Sequence, residues 1–192
     1  MYRIRNSGWL EVISGSMFSG KTTELIHRLE KVDLANQKYK VFKPQIDTRY
    51  SSDKITSHGG LSVDAIPVEK ANDILEHVYE EVDVVAIDEI QFFDEEIYDV
   101  INLLLKDHTR VIIVGLDMDF RGEPFPKISK LMAKAEFITK LHGVCAICGE
   151  LGTKTQRYVD GKPAHYNDPT IIVGGKEQYK CVCKSCHTVL RD

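Results

Sequence analysis

A phosphate-binding loop near the start of the chain constrains the fold more than any other feature. Residues 15–22 read Gly-Ser-Met-Phe-Ser-Gly-Lys-Thr and fit the pattern G-x-x-x-x-G-K-[ST]. The apolar segment 9–13 before them predicts a strand, and segment 23–31 after them predicts a helix. A strand that turns directly into a helix aims backbone N–H groups and the positive helix end at one point. We therefore expect the chain to bind a nucleoside triphosphate.

The residue types within this loop suit a phosphate chain. Gly15 and Gly20 let the backbone wrap close to the phosphates, because neither residue carries a Cβ. Lys21 is expected to reach the β- and γ-phosphates, and the Thr22 hydroxyl is expected to hold Mg²⁺. A chance match in a glycine-rich turn is the alternative, and the flanking strand and helix argue against it. The predicted ATP-binding residues of the loop are Gly15, Ser16, Met17, Phe18, Ser19, Gly20, Lys21 and Thr22.

Apolar segments and helical patterns alternate along the rest of the first three quarters of the chain. Such alternation predicts an α/β fold, a parallel sheet with helices on both faces. The polar segment 51–60, rich in Ser and Gly, predicts either a mobile loop or the tip of a weak hairpin. The further predicted strands are 40–44, 82–87, 110–115 and 135–141, and the further predicted helices are 69–80 and 94–106.

Two acidic residues follow the apolar segment 84–87. The carboxyl ends of parallel strands form the edge where ligands bind, so this pair is expected beside the phosphate loop. Asp88 is placed to hold Mg²⁺, and Glu89 is placed to act as a general base on the group that attacks the γ-phosphate. The alternative is an acidic start to the next helix. If Glu89 polarises water the protein is an ATPase, and if it polarises a substrate hydroxyl the protein is a kinase; local sequence leaves both open.

The overall composition argues against a basic nucleic-acid module and against a membrane span. The 192-residue chain is 43% hydrophobic and carries a net charge of −4, so no general attraction to nucleic acid is expected. It has no N-terminal signal pattern and no apolar run near 18 residues, so we expect it to be neither exported nor membrane-spanning.

All five cysteines lie in the last quarter of the chain. Cys145 and Cys148 form one C-x-x-C pair, and Cys183 and Cys186 form another. Two such pairs complete a tetrahedral site for a structural Zn²⁺, which could replace the core that a tail of this size lacks. Cys181 is expected to be free, although it and His187 lie close enough in sequence to compete as ligands. Unligated cysteines are the alternative reading.

Several segments together resemble the type II thymidine kinases. The resemblance covers nearly the whole chain in the family's order, and it is carried by segments 15–24, 43–50, 88–93, 115–125 and 171–179 together with both cysteine pairs. It implies a P-loop NTPase (RecA-like) domain over residues 1–142. It also implies a small zinc-ribbon and lasso domain over residues 143–192 that closes over the nucleoside.

The resemblance also implies a reaction. The γ-phosphoryl group of ATP would pass to the 5′-hydroxyl of thymidine, and of deoxyuridine, with Mg²⁺ and a structural Zn²⁺ bound. The family's members are cytoplasmic salvage enzymes, commonly homotetramers that dTTP inhibits, without a nucleic-acid or membrane partner.

Carried over residue by residue, the resemblance assigns five groups of residues. Glu89 would be the catalytic base, and Asp47 and Arg49 a polar pair near the phosphates. The ATP site would include, besides the loop, Asp88, Glu89, Ile90 and Gln91. The nucleoside would be bound by Met17, Phe92, Leu116, Phe120, Phe125, Thr155, Ile171, Ile172, Val173, Gly174, Gly175 and Tyr179, and the metals by Cys145, Cys148, Cys183 and Cys186 (zinc) and by Thr22 and Asp88 (magnesium).

Taken singly, each apolar residue of that set fits an ordinary core position as well as it fits a nucleoside contact. Two functions of other classes remain as rivals: an ATP-driven nucleic-acid-binding module and a nucleotide-responsive structural protein without turnover. The acidic charge balance argues against the first, and intact Lys21, Asp88 and Glu89 argue against the second.

Overall fold

The structure is a computed structural model that describes residues 7–45, 53–78, 82–170 and 178–191. The expected site residues Asp47, Arg49 and 171–175 lie outside the described residues. In chain order the elements are β1 (Trp9–Gly15), α1 (Lys21–Leu34), β2 (Tyr39–Pro44), β3 (Lys54–Thr56), β4 (Ser62–Asp64), β5 (Ile66–Val68), α2 (Asp73–Glu76), β6 (Val84–Ile87), a 3-10 turn (Ile90–Phe92), α3 (Ile97–Lys106), β7 (Arg110–Leu116), α4 (Pro126–Lys134), β8 (Phe137–Leu141), β9 (Gly143–Val144), β10 (Leu151–Gly152), β11 (Lys154–Val159), β12 (Lys162–Pro163) and β13 (Gln178–Val182).

Six strands form one parallel sheet in the order β5-β2-β6-β7-β1-β8. The register pairs Gly15 at the end of β1 with Leu116 at the end of β7 and with Leu141 at the end of β8. Since β6 lies next to β7, the carboxyl ends of β6, β7 and β1 meet at one edge. This edge holds the phosphate loop and the acidic pair, as the sequence predicts.

The sheet is covered on both faces, which confirms the predicted α/β architecture. On one face, Val12, Val85 and Ile113 pack with residues of α2, α3 and α4. On the other, Ile13 and Ala86 pack with α1 and with the β3–β4 hairpin. The two faces alternate because successive side chains of a strand point to opposite sides. Strands buried on both faces are apolar throughout, as β6 is.

Three elements differ from the sequence prediction. The helix predicted over 69–80 is a single turn, α2, within the described residues. Its backbone closes i to i+3 bonds such as Ile74 N–H to Ala71 O, and the Asp73 carboxylate accepts the N–H of Lys70 at 2.9 Å. Helix α3 begins at Ile97 rather than at residue 94, because the Asp94 carboxylate accepts the N–H of Ala71 instead. Helix α4 was not predicted.

Segment 53–64 forms a hairpin, the second of the two alternatives that the sequence left open. Strands β3 and β4 pair antiparallel, and Ile55 of β3 is buried against the sheet. The last quarter of the chain forms two small sheets, β10-β9 and β12-β11-β13. The division of the chain near residue 143 into two domains stays a prediction. No helix in the described part of the chain is long and apolar enough to cross a bilayer.

Candidate active site

The phosphate loop links β1 to α1 and needs both of its glycines. Gly15 has a φ of +149°, and a Cβ there would lie 2.3 Å from the carbonyl oxygen of Leu141. Gly20 has a φ of +87° and precedes the first turn of α1. Neither conformation suits a side chain, so the sequence pattern reflects a real backbone requirement.

The carbonyl oxygen of Ser16 organises the inside of the loop. It accepts a hydrogen bond from Ser19 Oγ at 2.8 Å and another from Lys21 Nζ at 2.7 Å. Lys21 therefore already points into the loop, where a phosphate would lie. The N–H of the next residue, Met17, donates to Thr155 Oγ1 at 3.0 Å, which ties the loop to β11.

One cleft gathers the loop, the acidic pair and the hairpin. It lies at the carboxyl edge of the sheet, where the phosphate site was predicted. Of the predicted site residues, Met17, Phe18, Lys21, Thr22, Asp88, Glu89 and Leu116 line this cleft. The cleft is also lined by Lys43, Lys54, Ile55, Thr56 and His58, none of which the sequence analysis assigned to the site.

The acidic pair is held by its own neighbours. Asp88 Oδ1 accepts the N–H of Glu89 at 2.9 Å. Glu89 itself has φ 50° and ψ 45°, a left-handed conformation that non-glycine residues seldom adopt and that clusters at functional sites. This turn directs the half-buried Glu89 side chain away from the direction of the strand and into the cleft.

Gln91 is the partner of the Glu89 carboxylate. Its Nε2 donates a hydrogen bond to Glu89 Oε2, and its Oε1 accepts the N–H of Leu116 at 3.2 Å. Gly115 makes this contact possible, because a Cβ at that position would lie 2.6 Å from Gln91 Oε1. Gln91 is 7% exposed and holds the predicted base through this bond, and its place in the ATP site stays a prediction.

The missed residues of the cleft come from β2 and the hairpin. Lys43 is 2% exposed and its Nζ donates to the carbonyl oxygen of Lys54 at 2.8 Å. At the hairpin tip, the His58 ring lies 4.7 Å from the Phe18 ring of the loop. A lysine at the carboxyl end of a buried parallel strand was the available signal for Lys43. Polar segments such as 51–60 often cover a site, but no sequence signal placed the hairpin over this loop in particular.

The cleft offers oxygen ligands for magnesium. The Thr22 hydroxyl and the Asp88 carboxylate both line it, and hydroxyl and carboxylate oxygens are the hard ligands that Mg²⁺ prefers. The residues present therefore fit the predicted cation.

The predicted nucleoside wall contributes some of its residues to this cleft. Met17 and Leu116 line it, and Thr155 reaches the loop through Met17. Phe92 and Phe125 are half-buried, and Phe125 packs against the core that contains α3 and α4. The structure does not place Phe92, Phe120, Phe125, Thr155 or Tyr179 among the residues that line the cleft.

Phe120 is buried beneath two guanidinium groups. The Arg157 and Arg121 guanidinium carbons lie 4.8 and 5.0 Å from its ring centroid, and the ring is 3% exposed. Arg121 also donates to the backbone carbonyls of Tyr166 and Asp168 at 2.7 Å each. Arg121 thus joins the segment after β7 to the segment after β12.

Four cysteines come together as predicted. The sulfur atoms of Cys145, Cys148, Cys183 and Cys186 all lie within 4.8 Å of one another, and Cys148 Sγ lies 3.6 Å from Cys183 Sγ. A tetrahedral zinc site with Zn–S bonds of about 2.3 Å has sulfur–sulfur edges of about 3.8 Å. The cluster therefore fits a closed structural zinc site.

The thiols of this cluster have unequal acidities. Burial raises the pKa of Cys145, but backbone N–H groups of Cys148 and Cys183 donate to its sulfur and bring the pKa down to about 6. Hydrogen bonding with the Cys183 and Cys148 sulfurs raises the pKa of Cys186 to about 12. The lowered pKa of Cys145 favours its thiolate, which is the form of cysteine that binds a metal ion.

The two possible competitors lie elsewhere. His187 Nε2 lies 2.8 Å from the carbonyl oxygen of Phe120. Cys181 Sγ lies 3.3 Å from Ser16 Oγ, in the phosphate loop. Neither residue belongs to the four-sulfur cluster found among the described residues.

Together, the parallel sheet, the loop and the acidic pair define a phosphate-loop nucleotide-binding protein, which also carries a cluster of four cysteines that could hold a metal ion. A family profile described as thymidine kinase matches residues 8–187, nearly the whole chain. The chain therefore belongs to the thymidine kinase family.

Two solved structures were also matched, both at 15% identity and a TM-score of 0.42. One is a DNA replication initiation factor, of which the match covers 40%, and the other is AMPPCP-bound DnaA from Aquifex aeolicus, of which it covers 41%. Each match covers 71% of this chain. The chain spans about two fifths of the length of these structures, and values this low carry no inference about function.

Proposed function

We propose that this protein is a thymidine kinase that transfers the γ-phosphoryl group of ATP to the 5′-hydroxyl of thymidine and of deoxyuridine. Family membership supports the reaction class. The single observation that carries the site assignment is the cleft in which Lys21, Thr22 and Glu89 meet. A phosphate loop, a magnesium hydroxyl ligand and a carboxylate base are the parts that phosphoryl transfer requires.

In this proposal the phosphate loop binds the triphosphate of ATP. Lys21 leaves the Ser16 carbonyl oxygen, its partner at 2.7 Å, and donates to the β- and γ-phosphates. The loop N–H groups and the positive end of α1 offset the negative charge that develops during transfer. Magnesium, held by Thr22 and Asp88, would supply further positive charge at the phosphates.

Glu89 accepts the proton of the attacking 5′-hydroxyl. Its carboxylate lines the cleft with Lys21, and Gln91 holds one of its oxygens. Because that hydrogen bond restrains the side chain, the carboxylate can be directed at the substrate hydroxyl. The bond from the γ-phosphorus to the bridging oxygen of ADP breaks as the new bond to the sugar oxygen forms.

The C-terminal part would bind the nucleoside and exclude water. Thr155 and Tyr179 lie on the paired strands β11 and β13, and residues 171–175 between them are the proposed lasso. A closed lasso would favour transfer to the sugar over hydrolysis. The structural zinc would hold together the two cysteine turns that lie on either side of the lasso. We assign residues 143–192, which include both turns, to a zinc-binding lasso domain.

The resemblance further supports a cytoplasmic homotetramer that dTTP inhibits. Size-exclusion chromatography with light scattering tests the assembly, and a tetramer is expected. A dTTP titration at fixed thymidine tests the inhibition, and a monomer with no response to dTTP would contradict this part of the proposal alone.

ADP release from Mg-ATP with each nucleoside in turn tests the function. ADP is expected only with thymidine or deoxyuridine, in equal amount to the nucleoside monophosphate. Equal ADP without nucleoside would identify water as the acceptor and an ATPase as the function.

A further inference from the structure

The sulfur of Cys181 fills a slot against the phosphate loop. Cys181 is 4% exposed, and its Sγ lies 3.3 Å from the Oγ of Ser16, a residue that is 2% exposed. Two glycines form the walls of the slot: a Cβ on Gly143 would lie 2.7 Å from the sulfur, and a Cβ on Gly152 would lie 2.4 Å from it. The slot therefore fits a side chain of about the size of cysteine, and a residue larger than glycine at position 143 or 152 would collide with the sulfur.

Cys181 acts beside a second residue that contacts the same loop. Strands β11 and β13 are antiparallel, and their register places Thr155 opposite Cys181. Side chains directly opposite each other share one face of a sheet. Thr155 Oγ1 accepts the N–H of Met17, while Cys181 Sγ contacts Ser16. One rung of the C-terminal sheet thus contacts two successive residues of the phosphate loop.

Ser16 connects this rung to the lysine of the loop. Its carbonyl oxygen accepts hydrogen bonds from Lys21 Nζ at 2.7 Å and from Ser19 Oγ at 2.8 Å. A rotation of the Ser16 peptide would move the site that holds Lys21 before ATP binds. The contact with Cys181 restrains that rotation from the side-chain end.

The same strand also carries a proposed nucleoside contact. Tyr179 lies two residues before Cys181 in β13, so the two side chains share a face of the strand. A shift of β13 on nucleoside binding would therefore change the distance between Cys181 Sγ and Ser16 Oγ.

We propose that Cys181 is a positioning residue that couples the C-terminal sheet to the ATP site through Ser16. The inference rests on the proposed function, since it names Ser16 and Tyr179 as parts of the two substrate sites. It gives the fifth cysteine of the chain a role that is separate from metal binding. Because coupling is reciprocal, thymidine should tighten ATP binding by the factor with which ATP tightens thymidine binding.

A double-mutant cycle of Cys181→Ala, Ser16→Ala and the combined variant tests the contact. Each single variant is expected to raise the KM for ATP about three- to tenfold. The combined variant should have a KM no higher than that of the single variant with the larger increase, because both substitutions remove the same interaction. Cys181→Ser keeps a hydrogen-bonding group in the slot and should restore most of the loss. Additive losses, or a Cys181→Ala variant with a wild-type KM, would overturn the proposal.

A binding measurement separates this inference from the proposed function. The affinity of AMPPCP, which is not hydrolysed, is measured with and without thymidine for the wild type, Cys181→Ala and Cys181→Ser. The expected result is a thymidine-dependent gain in affinity that Cys181→Ala loses and Cys181→Ser keeps. If thymidine binds and tightens AMPPCP equally in all three, the inference fails while the function stands. If the wild type phosphorylates no nucleoside, the proposed function fails, and the AMPPCP affinities without nucleoside still decide whether Cys181 positions the loop.

Zinc content and the thermal unfolding midpoint are recorded for each variant. If Cys181→Ala has lost its zinc, it is left out, and Cys181→Ser is compared with Ser16→Ala. In that pair a wild-type KM in Ser16→Ala would overturn the proposal.

Discussion

The side-chain amide of Gln91 joins Glu89 to the end of strand β7. Its Nε2 donates to the Glu89 carboxylate, and its Oε1 accepts the N–H of Leu116 at 3.2 Å. The amide can make both bonds at once because it offers a donor and an acceptor on one planar group. The predicted base is thereby fixed relative to a strand that also lines the cleft.

Replacement of Gln91 by Ala should lower kcat by about tenfold or more, because a base displaced by about 1 Å loses much of its efficiency. The partly buried N–H of Leu116 would also lose its acceptor, which should lower the free energy of unfolding by about 1 kcal/mol. Steady-state kinetics and urea unfolding measure the two effects. Gln37→Ala, in the turn before β2, is the matched control. If it lowers kcat as much as Gln91→Ala does, the loss does not come from the bond between Gln91 and Glu89.

Zinc should copurify at about one ion per chain, and Cys145→Ser should lose it. The loss removes a ligand from the only cluster of this kind found among the described residues, and a small metal-dependent sheet unfolds without its ion. Metal analysis and thymidine binding are the measurements, and binding should disappear. Cys181→Ser is the control and should keep its zinc, because its sulfur contacts Ser16 instead. Full activity in metal-free protein would contradict the assignment.

The buried Glu11 should make the protein sensitive to acid. Burial raises the pKa of this carboxyl, but hydrogen bonds from Arg110 and Trp9 and the charge of Arg28 outweigh that effect and hold the pKa below its ordinary value of 4.5. The carboxylate therefore contributes stability that is fully present above about pH 4.5 and is lost as the pH falls through the lower folded-state pKa.

Glu11→Gln should lower the free energy of unfolding by about 3–5 kcal/mol at pH 7, because it removes the carboxylate that the buried Arg110 shares with Arg28. The difference from the wild type should shrink as the pH falls below 4.5. Urea unfolding of both proteins between pH 3 and 7 measures it. A gap that stays constant over this range would show that the ionised carboxylate is not the stabilising form.

The sequence predicted the parts of the site that depend on local backbone chemistry. Gly15 and Gly20 mark conformations that other residues resist, and the apolar run before Asp88 can only be a buried strand in this context. The cysteine spacing likewise predicted which four sulfurs meet. In each case the signal lies within a few residues, so tertiary structure did not alter it.

The parts that the sequence missed depend on contacts between distant segments. His58 reaches the cleft because the β3–β4 hairpin folds over the loop, and the residues around His58 in the sequence do not specify that contact. Helix α4 was missed because only Ile128 and Leu131 are fully buried, which leaves a weak periodic signal. The role of Gln91 depends on Gly115, 24 residues away, where the absence of a Cβ makes room.

The most direct test of the central claim is the turnover of Glu89→Gln with thymidine. Glutamine keeps the shape of the side chain but cannot accept the 5′-hydroxyl proton, so kcat should fall about 10²- to 10⁴-fold while Mg-ATP still binds. Glu95→Gln is the matched control: its side chain is 76% exposed and pairs with Lys127 outside the cleft, so it should behave as the wild type. A Glu89→Gln enzyme with kcat within a few-fold of the wild type would contradict the assignment of Glu89 as the general base.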